Sequence, residues 1–181
     1  MTHWPYRDWC PICIKARARN TPHKKQTDRE HQVPHIHIDY GFFGNEEDEE
    51  KVILQVARDE ESRALFVHAV PRKGMTHEHG AKEIIKDIAK IGYKKVVIKG
   101  DNEPAIHSLQ EEIRAKREDD TVIENSPVGQ SQSNGVAERA VQAAGEQLRT
   151  IKLALENRLK IGLAATHPVV AWMANHGADV L

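Results

Sequence analysis

The sequence predicts an α/β domain built on a five-stranded mixed sheet with helices on both faces. Three observations carry this. Alternating and β-branched apolar runs fill the chain from Val33 to Val70. Beyond residue 76, segments of helical periodicity alternate with short apolar runs. The resulting order, β-β-β-α-β-α-β-α-α, gives three antiparallel strands and then two strands reached through helices. A chain of 181 residues holds one such domain and a short appendage.

The elements follow in order. Val33–Phe43 (VPHIHIDYGFF) alternates, with Val33, His35, His37 and Asp39 facing one way and Ile36, Ile38 and Tyr40 the other. Gly44 and the acidic run after it make a turn. Lys51–Ala57 and Ala64–Val70 are apolar and of strand length. Thr76 is placed to cap a helix whose Ala81, Ile84, Ile85, Ile88 and Ile91 form one stripe, and Gly92 lies where a C-cap belongs. Lys95–Lys99 is a fourth strand ending in Gly100-Asp101, and Thr121–Glu124 is a fifth. Between them runs a helix over Glu103–Arg117, with Pro104 in its tolerant first turn. Ser126–Ser133 is a loop, a long helix spans about Ser133 to Lys160, and a last helix starts near Pro168 with Thr166 as its expected cap.

Composition narrows the function classes. With 39% hydrophobic and 29% charged residues, and no apolar run near the roughly 20 residues that span a bilayer, a membrane partner is not expected. The first ten residues lack the apolar core of a secretory signal. Two cysteines cannot make a disulfide framework, and the C-x-x-C spacing of Cys10 and Cys13 points to metal or redox chemistry in a reducing compartment. Net charge is -1, but it is unevenly spread. Residues 1–30 hold seven Lys or Arg against three acids, and residues 139–160 hold five against two. Residues 44–62 hold eight acids against two bases. Basic surfaces are therefore compatible with overall neutrality, although such runs are also ordinary solvated faces. Residues 1–25 read as a basic arm, the end of something larger, and residues 26–181 as the domain.

Three carboxylates stand out. Asp39 lies inside an apolar strand, where a carboxylate is costly unless it is paired or binds a metal. Asp101 closes the fourth strand, and α/β sheets place their sites at strand carboxyl ends. Glu138 lies early in the long helix and shares a face with Asn134, Gln142, Gly145 and Arg149. The apolar face expected to pack is Val136, Ala140, Ala144, Leu148, Ile151, Leu155 and Leu159. Three converging carboxylates suit divalent metal with oxygen ligands. A pair of such ions, about 4 Å apart, suits displacement at a phosphodiester.

The segments HIDYGFF, IKGDNEPAI and SPVGQSQSNGVAERAVQ together resemble the catalytic core of retroviral and retrotransposon integrases, closest to the copia type. That family carries a D, D-x35-E set of acids, with the Glu inside Pro-Gln-x-Asn-Gly-x-x-Glu-Arg. Here Asn134 to Arg139 match closely, and 36 residues (102–137) separate Asp101 from Glu138. The resemblance covers residues 26–181 and implies the ribonuclease-H-like fold. It further implies that Asp39, Asp101 and Glu138 hold two Mg²⁺ (or Mn²⁺) ions, Asp39 bridging them. The activity implied is DNA integration by polynucleotidyl transfer. A 3′ end of the element's DNA is cut, and the freed hydroxyl attacks target DNA. Asn134, Arg139, Gln142 and Arg149 are the implied DNA contacts. Two departures are visible: Glu103 stands where a Gly is usual, and Gln142 and Gly145 occupy turns that often carry Lys.

By the same resemblance, Cys10 and Cys13 look like the last two ligands of a His-His-Cys-Cys zinc site, a partial Zn²⁺ site here. His3 and His23 are substitutes for the missing pair. His35 and His37, on the Asp39 face and preceded by His31, are either imidazole ligands or core and rim histidines. The implied partners are element-end and target DNA and further copies of the chain, with Leu153 and Ala154 a candidate contact, and the implied location is the nucleus. The alternative is a domesticated or decayed integrase that binds nucleic acid without chemistry.

Overall fold

The computed structural model describes residues 33–44, 51–74, 79–126 and 134–181, together with Trp9. The chain divides into two units, Met1–Gln32 and Val33–Leu181, and every element below belongs to the second. Its order is β1 (His35–Phe43), β2 (Val52–Asp59), β3 (Leu65–Val70), α1 (His79–Ile91), β4 (Lys95–Gly100), α2 (Pro104–Lys116), β5 (Asp120–Asn125), α3 (Gly135–Leu159) and α4 (Pro168–Val180).

The strands form one five-stranded sheet in the order β3-β2-β1-β4-β5. β1, β2 and β3 pair antiparallel, while β4 and β5 run parallel to β1. The central position of β1 leaves both of its faces covered by helices. Ile36, Ile38 and Tyr40 pack with Ile98 of β4 against Ile84 and Ile88 of α1 and Ile106, Leu109 and Ile113 of α2. Phe43 of β1, with Leu54, Val56, Leu65 and Val67, packs against Ala144 and Leu148 of α3 and Val170 and Met173 of α4. A fully buried aliphatic side chain contributes about 1.5–3 kcal/mol over an exposed one. Two such layers therefore hold the strand ends, where the candidate site lies, from both sides.

A polar pin fastens α1 to the outer strands. Gln55 Nε2 donates to the Gly80 carbonyl at 2.9 Å. Its cross-strand neighbour His68 meets Asp87 Oδ2 at 2.5 Å, and Lys90 reaches the other oxygen of Asp87 at 2.9 Å. Gln55, His68 and Asp87 are thus each buried with a hydrogen-bond partner, as burial requires.

Three sequence expectations change. The cap of α4 is His167, not Thr166: the His167 imidazole Nδ1 accepts the Val169 N–H at 3.2 Å. On α3, Ala137 is buried and Val136 only half-buried, so the packed stripe is rotated by one residue at the start of the helix. Leu159 is exposed, because 25 residues of helix reach about 37 Å while the nine residues of β1 reach about 30 Å, so the last turns overhang the sheet. Thr76 and residues 127–133 lie outside the described residues. Among the described residues no helix is long and apolar enough to cross a membrane.

Candidate active site

The parallel pairing of β1 with β4 places two of the three carboxylates side by side. His37 is level with Lys99, so Asp39, two residues further, is level with Asp101 just past the end of β4. β1 continues to Phe43 while β4 stops at Gly100, so Asp39 lies beside the carboxyl end of the neighbouring strand. Asp39 Oδ1 accepts the Tyr40 N–H at 2.7 Å, and Asp101 Oδ1 accepts the Glu103 N–H at 3.0 Å. Both side chains are half-buried.

Glu138 approaches from α3. Val141, one turn after Glu138, meets Gly41 so closely that a Cβ built on the glycine would lie 2.6 Å from Val141 Cγ1. Further along the same helix, Arg149, Lys152, Leu153 and Glu156 line a pocket with Phe43 and Gly44. The helix thus runs beside β1 in the same sense, and its first turn, with Glu138, lies toward Asp39. Glu138 itself is exposed. Among the described residues no three His, Cys, Asp or Glu side chains are drawn together at metal-holding distance.

Electrostatics mark Asp39 as the strained member. Its carboxyl is raised from the ordinary 3.8 to about 6, first by burial and then by the charges of Asp101 and Glu103, while the Tyr40 N–H and Lys73 oppose the shift. The folded chain therefore holds this proton more tightly than the unfolded chain does. The contribution of Asp39 to stability is greatest below about pH 4, falls as pH rises through about 6, and stays low above it. We expect Asp39→Asn to gain stability relative to wild type across that window in metal-free buffer. Denaturant unfolding at pH 4, 6 and 8 reads this, and a difference independent of pH would remove the assignment.

The other candidates separate. Asn134 is buried as the N-cap residue of α3, and its Oδ1 has no hydrogen-bond partner among the described residues. Arg139, Gln142 and Arg149 are exposed on α3. Gln142 donates to Glu146 at 3.0 Å, and the Arg149 guanidinium folds over Gly145. His35 and His37 pair with carboxylates: His35 lies 3.6 Å from Glu124, and His37 Nε2 lies 3.2 Å from Glu60. Burial lowers the pKa of His37, with its Glu60 partner opposing. Cys10, Cys13, His3, His23 and His31 lie outside the described residues.

Two residues without a role in the sequence reading enter the site. Lys73 Nζ donates to both oxygens of Glu103, at 2.9 and 3.1 Å, and lies 5.4 Å from the Tyr40 ring centre and 4.9 Å from that of Phe42. Glu103 was visible as the acid two residues after Asp101, whereas Lys73 lies 30 residues from its partner and no local pattern marks it.

No family model matches the chain, and no curated protein matches it in sequence. Solved structures do. The HTLV-2 integrase catalytic core domain in complex with magnesium, in its trimeric form, superposes with a TM-score of 0.55 at 17% identity, covering 81% of this chain and 83% of that one. Its dimeric form gives 0.52 at 17% identity, with the same coverage of each chain. The catalytic core domain of BIV integrase gives 0.50 at 16% identity, covering 81% of this chain and 82% of that one. At such identities the likeness is one of fold. The chain has the ribonuclease-H-like fold of retroviral integrase catalytic cores.

Proposed function

We propose that this chain is the catalytic core of an integrase, most similar in its motifs to the copia retrotransposon type. In this reading it cuts near the 3′ end of an element's DNA and joins that end to target DNA in the nucleus. The observation that carries the reading is the parallel register of β1 and β4, which sets Asp39 level with Asp101, while the course of α3 along β1 brings Glu138 toward the same end of the sheet. The donors are carboxylate oxygens, which suit hard divalent cations such as Mg²⁺ or Mn²⁺. When bound, such cations lower the pKa of an attacking water or hydroxyl and stabilise the leaving oxygen.

This chain's own residues would do the rest. Asp39, central and half-buried, would hold the cations together with its neighbours; burial is the first cause of its raised pKa, and the negative charges of Asp101 and Glu103 add to it. Asp101 is already oriented by the Glu103 N–H. Glu138 would close the set from the first turn of α3. Arg139 and Arg149 would hold phosphates, which position DNA without reading its sequence. Asn134 would contact DNA near the scissile phosphate only after leaving its buried position. Cys10 and Cys13 would belong to a zinc-binding unit preceding this domain.

The test is strand cleavage and joining on a branched DNA substrate with Mg²⁺ and with Mn²⁺. Products that require metal and vanish in Glu138→Gln support the reading. A folded chain that binds DNA and yields none replaces it with a non-catalytic nucleic-acid-binding module. Self-association is part of the proposal, since the HTLV-2 core occurs in dimeric and trimeric forms. A single monomeric species in sedimentation velocity at all concentrations would remove that part.

A further inference from the structure

We propose that Lys73 is a phosphate-binding residue of this site, resting on Glu103 until a nucleic-acid phosphodiester takes the place of that carboxylate. The assignment rests on the nucleic-acid reading above and names a contact that reading does not contain.

The geometry restrains the lysine at the mouth of the site. Lys73 follows β3 in a segment tied down by its neighbour, because the Gly74 N–H donates to the Tyr40 hydroxyl at 3.1 Å. Its ammonium lies near the Tyr40 and Phe42 rings, the latter exposed, at cation–π distance. Glu103 is held independently, as the N-cap residue of α2 whose N–H donates to Asp101. The lysine therefore bridges the end of β3 to the turn that carries Asp101. Its positive charge is also felt at Asp39.

The pair is open to exchange. The Lys73 side chain is 24% exposed and that of Glu103 35%, so a ligand reaches both from solvent. The pair is only partly buried, so solvent offsets part of the cost of separating it, and the incoming phosphate replaces the lost contact. A phosphodiester presents two non-bridging oxygens and one negative charge, close to what a carboxylate presents. A lysine ammonium, a compact charge on a flexible stem, accepts either. The Tyr40 and Phe42 rings lie beside the ammonium itself, so it can change its anionic partner while staying near them. Exchange also leaves the Glu103 charge uncompensated beside Asp39 and Asp101. The site therefore becomes more negative, and better suited to divalent cations, as the substrate arrives. Glu103, which stands where the family usually has Gly, then has a function specific to this chain.

The test is binding of a labelled DNA duplex to the full chain by fluorescence anisotropy, in EDTA, across a salt series. Lys73→Met keeps an unbranched side chain of similar length and removes the charge. We expect it to weaken binding several-fold at low salt and to reduce the slope of log affinity against log salt by about 0.9, the value of one phosphate contact. Lys73→Arg should keep the slope. Glu103→Gln should bind as tightly as wild type or more tightly, because the competing carboxylate is gone. An unchanged slope in Lys73→Met overturns the assignment. So does equal weakening in Lys73→Met and Glu103→Gln, which would make the pair a structural brace. If wild type binds no duplex at any salt, the nucleic-acid reading fails and the assignment with it. That result is distinct from binding that ignores Lys73.

Discussion

Asp39→Asn and Glu138→Gln are each expected to abolish metal-dependent cleavage and joining while shifting stability in opposite directions. Removing even an outer partner of a metal ligand costs about 10–100-fold. Loss of a ligand oxygen's charge is therefore expected to cost about 10²-fold or more in rate. The stabilities differ because the carboxylates do. Asp39 is half-buried and its charge is disfavoured by burial and by Asp101 and Glu103, so the neutral amide relieves a cost at neutral pH. Asparagine also keeps an oxygen to accept the Tyr40 N–H. Glu138 is exposed in the first turn of α3, where a negative charge interacts favourably with the helix dipole. Its amide variant should lose about 0.3–1 kcal/mol. Rate assays paired with urea unfolding at pH 8 in EDTA read both effects. Two inactive variants, one more and one less stable than wild type, would separate lost chemistry from lost fold. Retained activity in either variant would remove that residue from the catalytic set.

Much of this was legible because strand and helix periods are local. The alternation of Ile36, Ile38 and Tyr40 marks β1, and the stripe from Ala81 to Ile91 marks α1. Asp39 was conspicuous for the same reason, as a charge inside an apolar run. What was not legible depends on pairings distant in sequence. His37 fits the core reading of that histidine, but its Glu60 partner, 23 residues away, left no local mark. The overhang of α3 depends on the ratio of helix length to strand length. The His167 cap required choosing between two adjacent polar residues, and a hydroxyl was the better guess on propensity alone. The Lys73–Glu103 pair joins two turns that only the folded sheet brings together.

The contact that ties fold to site is the one between Gly41 and Val141, and Gly41→Ala is the variant that probes it. The added Cβ would lie 2.6 Å from Val141 Cγ1, closer than real side chains approach. β1 cannot yield easily, since Gly41 is paired with Leu54 in a central strand. Val141 cannot rotate away easily either, because a β-branched side chain in a helix has one strongly preferred rotamer. The helix must therefore shift, and overpacking of this kind costs about 1–3 kcal/mol. Glu138 lies one turn from the contact and moves with it. A displacement of about 1 Å in a catalytic group can cost about 10²-fold in rate, so activity should fall far more than stability does. Val141→Ala in the same chain removes Cγ1 and restores the room. The double variant should regain both stability and activity, with a coupling of about 0.5–3 kcal/mol between the two positions. If Gly41→Ala keeps the wild-type melting temperature and rate, the close approach of α3 to β1 is not what places Glu138. A double variant that recovers stability but not activity would locate the positioning of Glu138 elsewhere, at the Asn134 end of the helix.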